Sequence, residues 1–252
     1  MLGLGNSVTR SGVLSEEPPF ILSTNSDLKV WLQFNTGITF ATPPFVTQWD
    51  DSSGNNNHAI NTKAGSQPTS ADGRLIFAGS QTMLLPVRND ASFTAIIALD
   101  LDETVTLTNE VLIGNSNAAW GIKLYRAGGA DDVGLRINGN TASPSPPTSG
   151  TAHVDRPLLT GNLPSGKFLF TTSYNGTNGE VNFRVNGALA AFGTFGGSTF
   201  NSFRLEQMGS GAVGSGQVNG DIYELAYYDV VLGGQDLFNA EQAIIDRVGI
   251  SI

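Results

Sequence analysis

The sequence predicts an all-β fold, a sandwich or barrel closed by one short helix, and three observations carry that prediction. Only 14% of residues are charged while glycine occupies 31 positions and Asn, Ser and Thr are abundant, which suits many strands joined by polar turns. Short apolar or alternating runs recur from "LKVWLQF" (28–34) to "DIYELAYYDVVL" (221–232), with Gly, Asn, Asp or Pro between them. This spacing argues against βαβ units. Finally, "SYNGTNGEV" and "RVNGALA" carry Asn-Gly, the pair that tolerates positive φ at both central residues of a type I′ hairpin turn.

The elements follow in order. Residues 1–26 have neither helical nor strand periodicity and contain Gly3, Gly5, Gly12, Pro18 and Pro19. They are expected to be an extended arm, either a terminus without a role or a segment ordered by docking on a partner. Residues 27–252 are expected to form one domain, since no repeat or linker divides them and the chain is long enough to bury a core unaided.

Within that domain, Val181, Phe183 and Val185 alternate with Asn182, Arg184 and Asn186, giving a strand with one apolar and one wet face. "FTAIIALDL" (93–101) is apolar on both faces from Ala95 to Leu99, as in an inner strand covered on each side. The stretch from Asn138 to Ser165 contains Pro144, Pro146, Pro147, Pro157 and Pro164 and is expected to be one long loop. Leu237, Ala240, Ile244, Ile245 and Val248 form a helical stripe ended by Gly249, a helix expected to cover one edge of the sheets.

A formal charge of −9 gives no electrostatic footprint for phosphate backbones or anionic lipid, so nucleic acid is not an expected partner. Cysteine is absent, which removes disulfides, thiolate metal sites and cysteine nucleophiles. No stretch approaches the length of an apolar membrane span, and the first residues lack a basic-then-apolar secretion signal. The expectation is a soluble product made in a cytoplasm, without membrane insertion.

Three further pieces occur in a recognisable order. "LKVWLQF" precedes "VTQWDDSSGNNNHAI"; "VNFRVNGALAAFG" follows in the second half; "VNGDIYELAYYDVVLGGQDLFNAEQAIIDRVGI" comes last. Together, over roughly residues 28–250, they resemble the laminin-G-like branch of the concanavalin A-like lectin and glucanase superfamily. That family shows a W-x-D-x-S-G-x-x-N-x-A turn, an N-G hairpin and a closing G-x-I-x-E strand with a short helix after it. The resemblance implies a two-sheet antiparallel jelly-roll sandwich. Gln33 and Phe34 depart from it, standing in the first strand where relatives often carry Asp.

The resemblance also frames the candidate sites. In "TQWDDSSGNNNHA" (47–59) the family's Trp packs while its Asp, Ser and Asn bond a tight turn, chemistry these side chains perform locally. The other reading is a Ca²⁺ loop in which Asp50, Asp51, Asn55 and Asn57 supply hard oxygen ligands. His58 and His153 give no reason to be paired, and no G-x-S-x-G elbow is present. The E-x-D-x-E string of retaining glucanases is also missing. Asp100 and Asp102 share a strand face, Asp221 and Glu224 fall on opposite faces of an ideal strand, and Glu224 matches the family's structural glutamate. For glycan binding, Trp120, Tyr125, Asp131, Asp132 and Asn138 supply the aromatic and polar types that sugar sites use.

The acidic, cysteine-free chain with a polar arm before a lectin-like sandwich is similar to structural proteins of tailed phages. The functional expectation is therefore a non-enzymatic virion structural protein: a capsid decoration, baseplate or tail-fibre component. Its partners would be other virion proteins, copies of itself and a host-surface glycan. A stand-alone carbohydrate-binding module is the alternative, and a glycoside hydrolase is third.

Overall fold

The doubly apolar run Phe93–Leu101 forms the strand around which the molecule is built. The computed structural model describes residue 22 and residues 25–102, 110–115, 121–127, 130–137, 153–158, 163–195, 202–209 and 217–252. Its strands are β1 (Leu28–Leu32), β2 (Ile38–Thr42), β3 (Phe45–Trp49), β4 (Ala59–Ile60), β5 (Thr69–Ala71), β6 (Arg74–Ala78), β7 (Met83–Asp90), β8 (Phe93–Leu101) and β9 (Glu110–Gly114). They continue with β10 (Gly121–Ala127), β11 (Ala130–Arg136), β12 (His153–Leu158), β13 (Phe168–Asn175), β14 (Glu180–Val185), β15 (Ala188–Thr194), β16 (Phe203–Met208) and β17 (Asn219–Tyr228), before the helix α1 (Gly234–Val248).

Every pairing between these strands is antiparallel, and they make two layers. In one, β8 lies between β13 and β17; β14 and β15 extend it beyond β13, while β1 and β6 pair successive parts of β17. The other runs β2–β3–β4–β7–β16–β9–β10–β11–β12. Short β5 pairs with both β3 and β6 and so links the layers into one curled sheet. The predicted two-sheet antiparallel sandwich is the observed architecture.

Two apolar clusters explain why β8 is apolar on both faces. Ala95, Ile97 and Leu99 join Trp49, Phe93, Phe168, Phe170, Phe183, Phe203 and Tyr227 between the layers. Ile96 and Ala98 face outward, onto Leu28, Trp31, Leu169, Ala226, Ala240, Ile244, Ile245 and Val248. Each fully buried Leu, Ile, Val or Phe among these is worth about 1.5–3 kcal/mol relative to an exposed one. The helix therefore covers the outer face of the central strands β8, β13 and β17, not an edge as expected. The outer side of β8 is the surface that needed covering. Leu22 is fully buried in this second cluster, so the packed body reaches back into the residues read as an arm.

The helix ends as its sequence predicts, with Gly249 at φ 71° donating its N–H to the Ile245 carbonyl. A left-handed residue at this position costs glycine no Cβ clash. Arg184 on β14 reaches the buried Glu241 of α1 through Nε and Nη2 at 2.9 and 3.0 Å.

Val181 and Phe183 are buried between the layers and Val185 packs against them, as the alternation predicts. Asn186 and Gly187 both have positive φ, 48° and 78°, in a two-residue turn between Val185 and Ala188. The other Asn-Gly segment behaves differently. Asn175 pairs with Glu180 across a four-residue loop, and of its residues Gly179 alone takes positive φ.

Two further expectations are corrected. The segment 138–165 is not one loop, because His153–Leu158 pairs with β11 as β12. Pro157 misled the reading; it falls where the register shifts between Asp132 and Gly134, a bulge that tolerates a residue without an N–H. Gln33 and Phe34 lie past the end of β1, in the turn toward β2.

Candidate functional site

The segment Trp49–Ala59 is built around Asp51. Its Oδ1 accepts the backbone N–H groups of Trp31 (2.8 Å) and Ser53 (2.9 Å), and its Oδ2 accepts Asn57 N–H (2.8 Å) and Ser53 Oγ–H (2.7 Å). Asn55 and Asn57 donate through Nδ2 to the Leu28 and Lys29 carbonyls, each at 2.8 Å. Trp49 is fully buried, and its Nε1–H points to the carbonyls of Gln33 and Thr36. The segment thus ties itself to β1 by hydrogen bonds that satisfy buried backbone groups.

Against the Ca²⁺ reading, both Asp51 oxygens already hold N–H and O–H donors. Asp50 Oδ1 accepts Gln48 Nε2–H at 2.6 Å. His58 Nδ1 accepts the Asp51 N–H at 3.1 Å and lies 3.3 Å from Asp50 Oδ1, so the imidazole too is held within the turn. Among the described residues no group of three or more His, Asp or Glu side chains is arranged to hold a metal ion.

Glu224 is the second structural centre. It is 0% exposed, accepts Trp31 Nε1–H at 2.7 Å and Phe34 N–H at 3.3 Å, and pairs with Arg247 of α1. Burial pushes its carboxyl above the usual range, opposed by Arg247 and by the Trp31 and Phe34 hydrogen bonds. Raised carboxyls occur in general acids and in buried structural ion-pair networks alike. Here indole, guanidinium and backbone enclose it, and no substrate can reach it.

The register of β17 carries a bulge between Ile222 and Glu224. Ile222 and Leu225 point between the layers while Tyr223 and Ala226 point outward. The bulge puts Asp221 and Glu224 on the same outer face, where an ideal strand would separate them. It also leaves Asp221 directly opposite Asp100 on β8, a juxtaposition of two strands that no motif within one strand shows. Like charges so placed repel, and Arg74 offsets this by donating Nε–H to Asp221 at 2.6 Å. The Arg74 pKa is raised, chiefly by that bond.

Two clefts lie at opposite ends of the β8–β17 pair. One, of about 320 Å³, is lined by Asp100, Asp102, Asn219, Gly220 and Asp221 with Ile76, Phe77 and Ala78 beneath. The other, of about 430 Å³, is lined by Asp90, Ala91, Ser92, Asn175, Asp229, Val230 and Val231. Both fall in the size range of small-ligand sites, and both present Asp and Asn.

The residues expected to hold a glycan are placed in part. Tyr125 pairs with Asp132 across β10 and β11, one step from Asp131, so the backbone gathers these three on one hairpin. Trp120 and Asn138 lie outside the described residues. Sequence reading missed Ser92, Asn175 and Asp229, which stand just before β8, at the end of β13 and just after β17, with no shared motif.

No protein-family model matches the chain. No curated protein matches it either. Its likeness to solved structures is one of fold. Domain 4 of AbnA, an extracellular arabinanase from Geobacillus stearothermophilus solved in complex with arabinotriose, superimposes with a TM-score of 0.57 at 16% identity, over 88% of this chain and 98% of that one. The receptor binding domain of botulinum neurotoxin D gives 0.57 at 12% identity, over 89% of this chain and 54% of the other. Trypanosoma rangeli sialidase gives 0.53 at 13% identity, and the chain spans only 32% of it. This sandwich is therefore a scaffold found in domains of very different parent proteins.

Proposed function

We propose that this chain is a non-enzymatic glycan-recognition domain carried on an assembly, in keeping with its resemblance to virion structural proteins. The observation that carries the recognition half is the disposition of its carboxyls. The carboxyl with the acid-like shift, Glu224, is sealed inside the fold, whereas Asp, Asn and Ser line open clefts at the sandwich ends. Side chains of these types, beside an apolar surface, are the polar groups that orient a hydroxyl-bearing ligand. The likeness in fold to a domain solved with arabinotriose supports the same reading.

The assembly half rests on the sequence. Residues 1–26 are proposed as the docking arm and residues 27–252 as the displayed sandwich, with other virion proteins and copies of itself as neighbours. The buried Leu22 sets where a clean truncation must stop.

A glycan array probed with the full chain tests recognition, and incorporation of a chain lacking residues 1–20 into particles tests docking. Binding to defined glycans, with loss of incorporation on truncation, is the expected pair of results. An array without signal overturns the first half, and normal incorporation of the truncated chain overturns the second.

A further inference from the structure

We infer that the 430 Å³ cleft formed by the β7–β8 turn, the β13–β14 hairpin and the segment after β17 binds an uncharged sugar ring. This inference rests on the glycan-recognition reading and deepens it by naming the site and the ligand class. The cleft is lined by Asp90, Ser92, Asn175, Asp229 and the apolar Val230 and Val231.

The first ground is the set of hydrogen-bonding groups left over in the cleft. Ser92 Oγ accepts the Gly176 N–H at 3.0 Å, which leaves its hydroxyl hydrogen to donate. Asn175 Oδ1 accepts the Thr177 N–H at 2.9 Å, which leaves the two hydrogens of Nδ2. Asp229 Oδ2 receives both Lys29 Nζ at 3.3 Å and Arg88 Nη2 at 3.4 Å, which leaves Oδ1 as an acceptor. Two donor groups, with three hydrogens between them, and one acceptor match neighbouring sugar hydroxyls, which both accept and donate hydrogen bonds. Val231, 41% exposed, offers an apolar surface for the C–H face of a ring.

The second ground is charge. The carboxylates at the cleft, Asp90 and Asp229, are matched by two cations, Arg88 and Lys29. Arg88 holds Asp90 through Nε and Nη2 at 3.1 and 2.9 Å and also reaches Asp229, while Lys29 pairs with Asp229. Tyr227, kept protonated by burial, donates its O–H to Asp90 Oδ2 at 3.0 Å. An anionic sugar would have to break a pair to find a cation, and a cationic one would have to break a pair to find a carboxylate. A neutral ring disturbs neither.

The geometry is also set in advance. A Cβ on Gly176 would stand 1.9 Å from the Ala91 carbonyl oxygen, so glycine lets the hairpin close against the β7–β8 turn and bring Asn175 beside Ser92. Rigid placement of this kind reduces the ordering cost of binding.

The test is a calorimetric titration of the full chain with neutral pentose and hexose oligosaccharides and with sialylated counterparts. Four variants accompany the wild type: Asn175→Ala, Val231→Asp, and Asp131→Asn and Asp132→Asn on the β10–β11 hairpin. Val231→Asp removes no side-chain hydrogen bond of the fold and so reports even where Asn175→Ala lowers stability. The expected result is saturable binding of neutral sugars, weakened at least tenfold by Asn175→Ala and by Val231→Asp but unchanged by the hairpin variants. Binding that survives both cleft variants, is lost in the hairpin variants, or is as tight for sialylated sugars overturns this inference while leaving glycan recognition standing. Absence of binding to every sugar in the panel overturns both.

Discussion

Trp31 and Glu224, 193 residues apart, meet in a 2.7 Å hydrogen bond from indole Nε1–H to Oε1 beneath the C-terminal helix. The bond joins the first strand to the last. Arg247 completes the contact from the helix, with its guanidinium 4.9 Å from the Trp31 ring centroid. Three distant segments are thus fixed by one carboxyl that solvent does not reach.

Removing that carboxyl should be among the most damaging single changes in the molecule. Glu224→Ala leaves Trp31 Nε1–H and Phe34 N–H without an acceptor and Arg247 without its partner. A cost of about 3–5 kcal/mol is expected. Glu224→Gln keeps an acceptor of the same shape and should cost clearly less. Denaturant unfolding of both variants measures this, and equal losses would show that the carboxyl merely fills space.

The same group makes stability depend on pH. Because burial raises its folded-state pKa, the native chain holds this proton over a range in which the unfolded chain has released it. Its contribution is fully present below the ordinary carboxylate range and declines as pH rises through the raised folded value. Relative to Glu224→Gln, the wild type should lose melting temperature as pH rises from about 4 toward neutrality. A wild-type curve that gains on Glu224→Gln over that interval would contradict the assignment.

Asp51 should behave as a structural knot. Asp51→Ala strands the N–H groups of Trp31, Ser53 and Asn57, a loss of about 3 kcal/mol. Melting curves should show the same loss in Ca²⁺ and in chelator. A loss confined to Ca²⁺ would make the segment a cation loop instead.

Gly176→Ala should separate the β13–β14 hairpin from the β7–β8 turn, since the added methyl meets the Ala91 carbonyl. Crowding of this kind costs about 1–3 kcal/mol. The amide resonances of Ser92 and Asn175 should shift while those of the Asp51 segment stay in place. Unchanged resonances at Ser92 would show that the turn tolerates the methyl.

Much of this fold is legible in the sequence because its signals are local. The alternation at Val181, Phe183 and Val185, the turn at Asn186-Gly187 and the stripe from Leu237 to Val248 each need only a few neighbouring residues. The Asp51 segment is legible for the same reason: Asp51, Ser53 and Asn57 bond within one turn. What sequence did not reveal depends on distant strands. The apposition of Asp100 and Asp221 follows from a bulge in a register set across more than a hundred residues. The cleft of Ser92, Asn175 and Asp229 forms only when the ends of three strands distant in sequence converge. β12 was hidden by a different cause, a proline accommodated at a bulge.

Recognition without catalysis can be separated from hydrolysis by following, by NMR, an oligosaccharide selected from the glycan array as the chain is titrated into it. The expected result is saturable broadening and saturation transfer on an oligosaccharide that stays intact through prolonged incubation. Shortened products would make the protein a hydrolase, and an unperturbed spectrum would remove glycan recognition altogether.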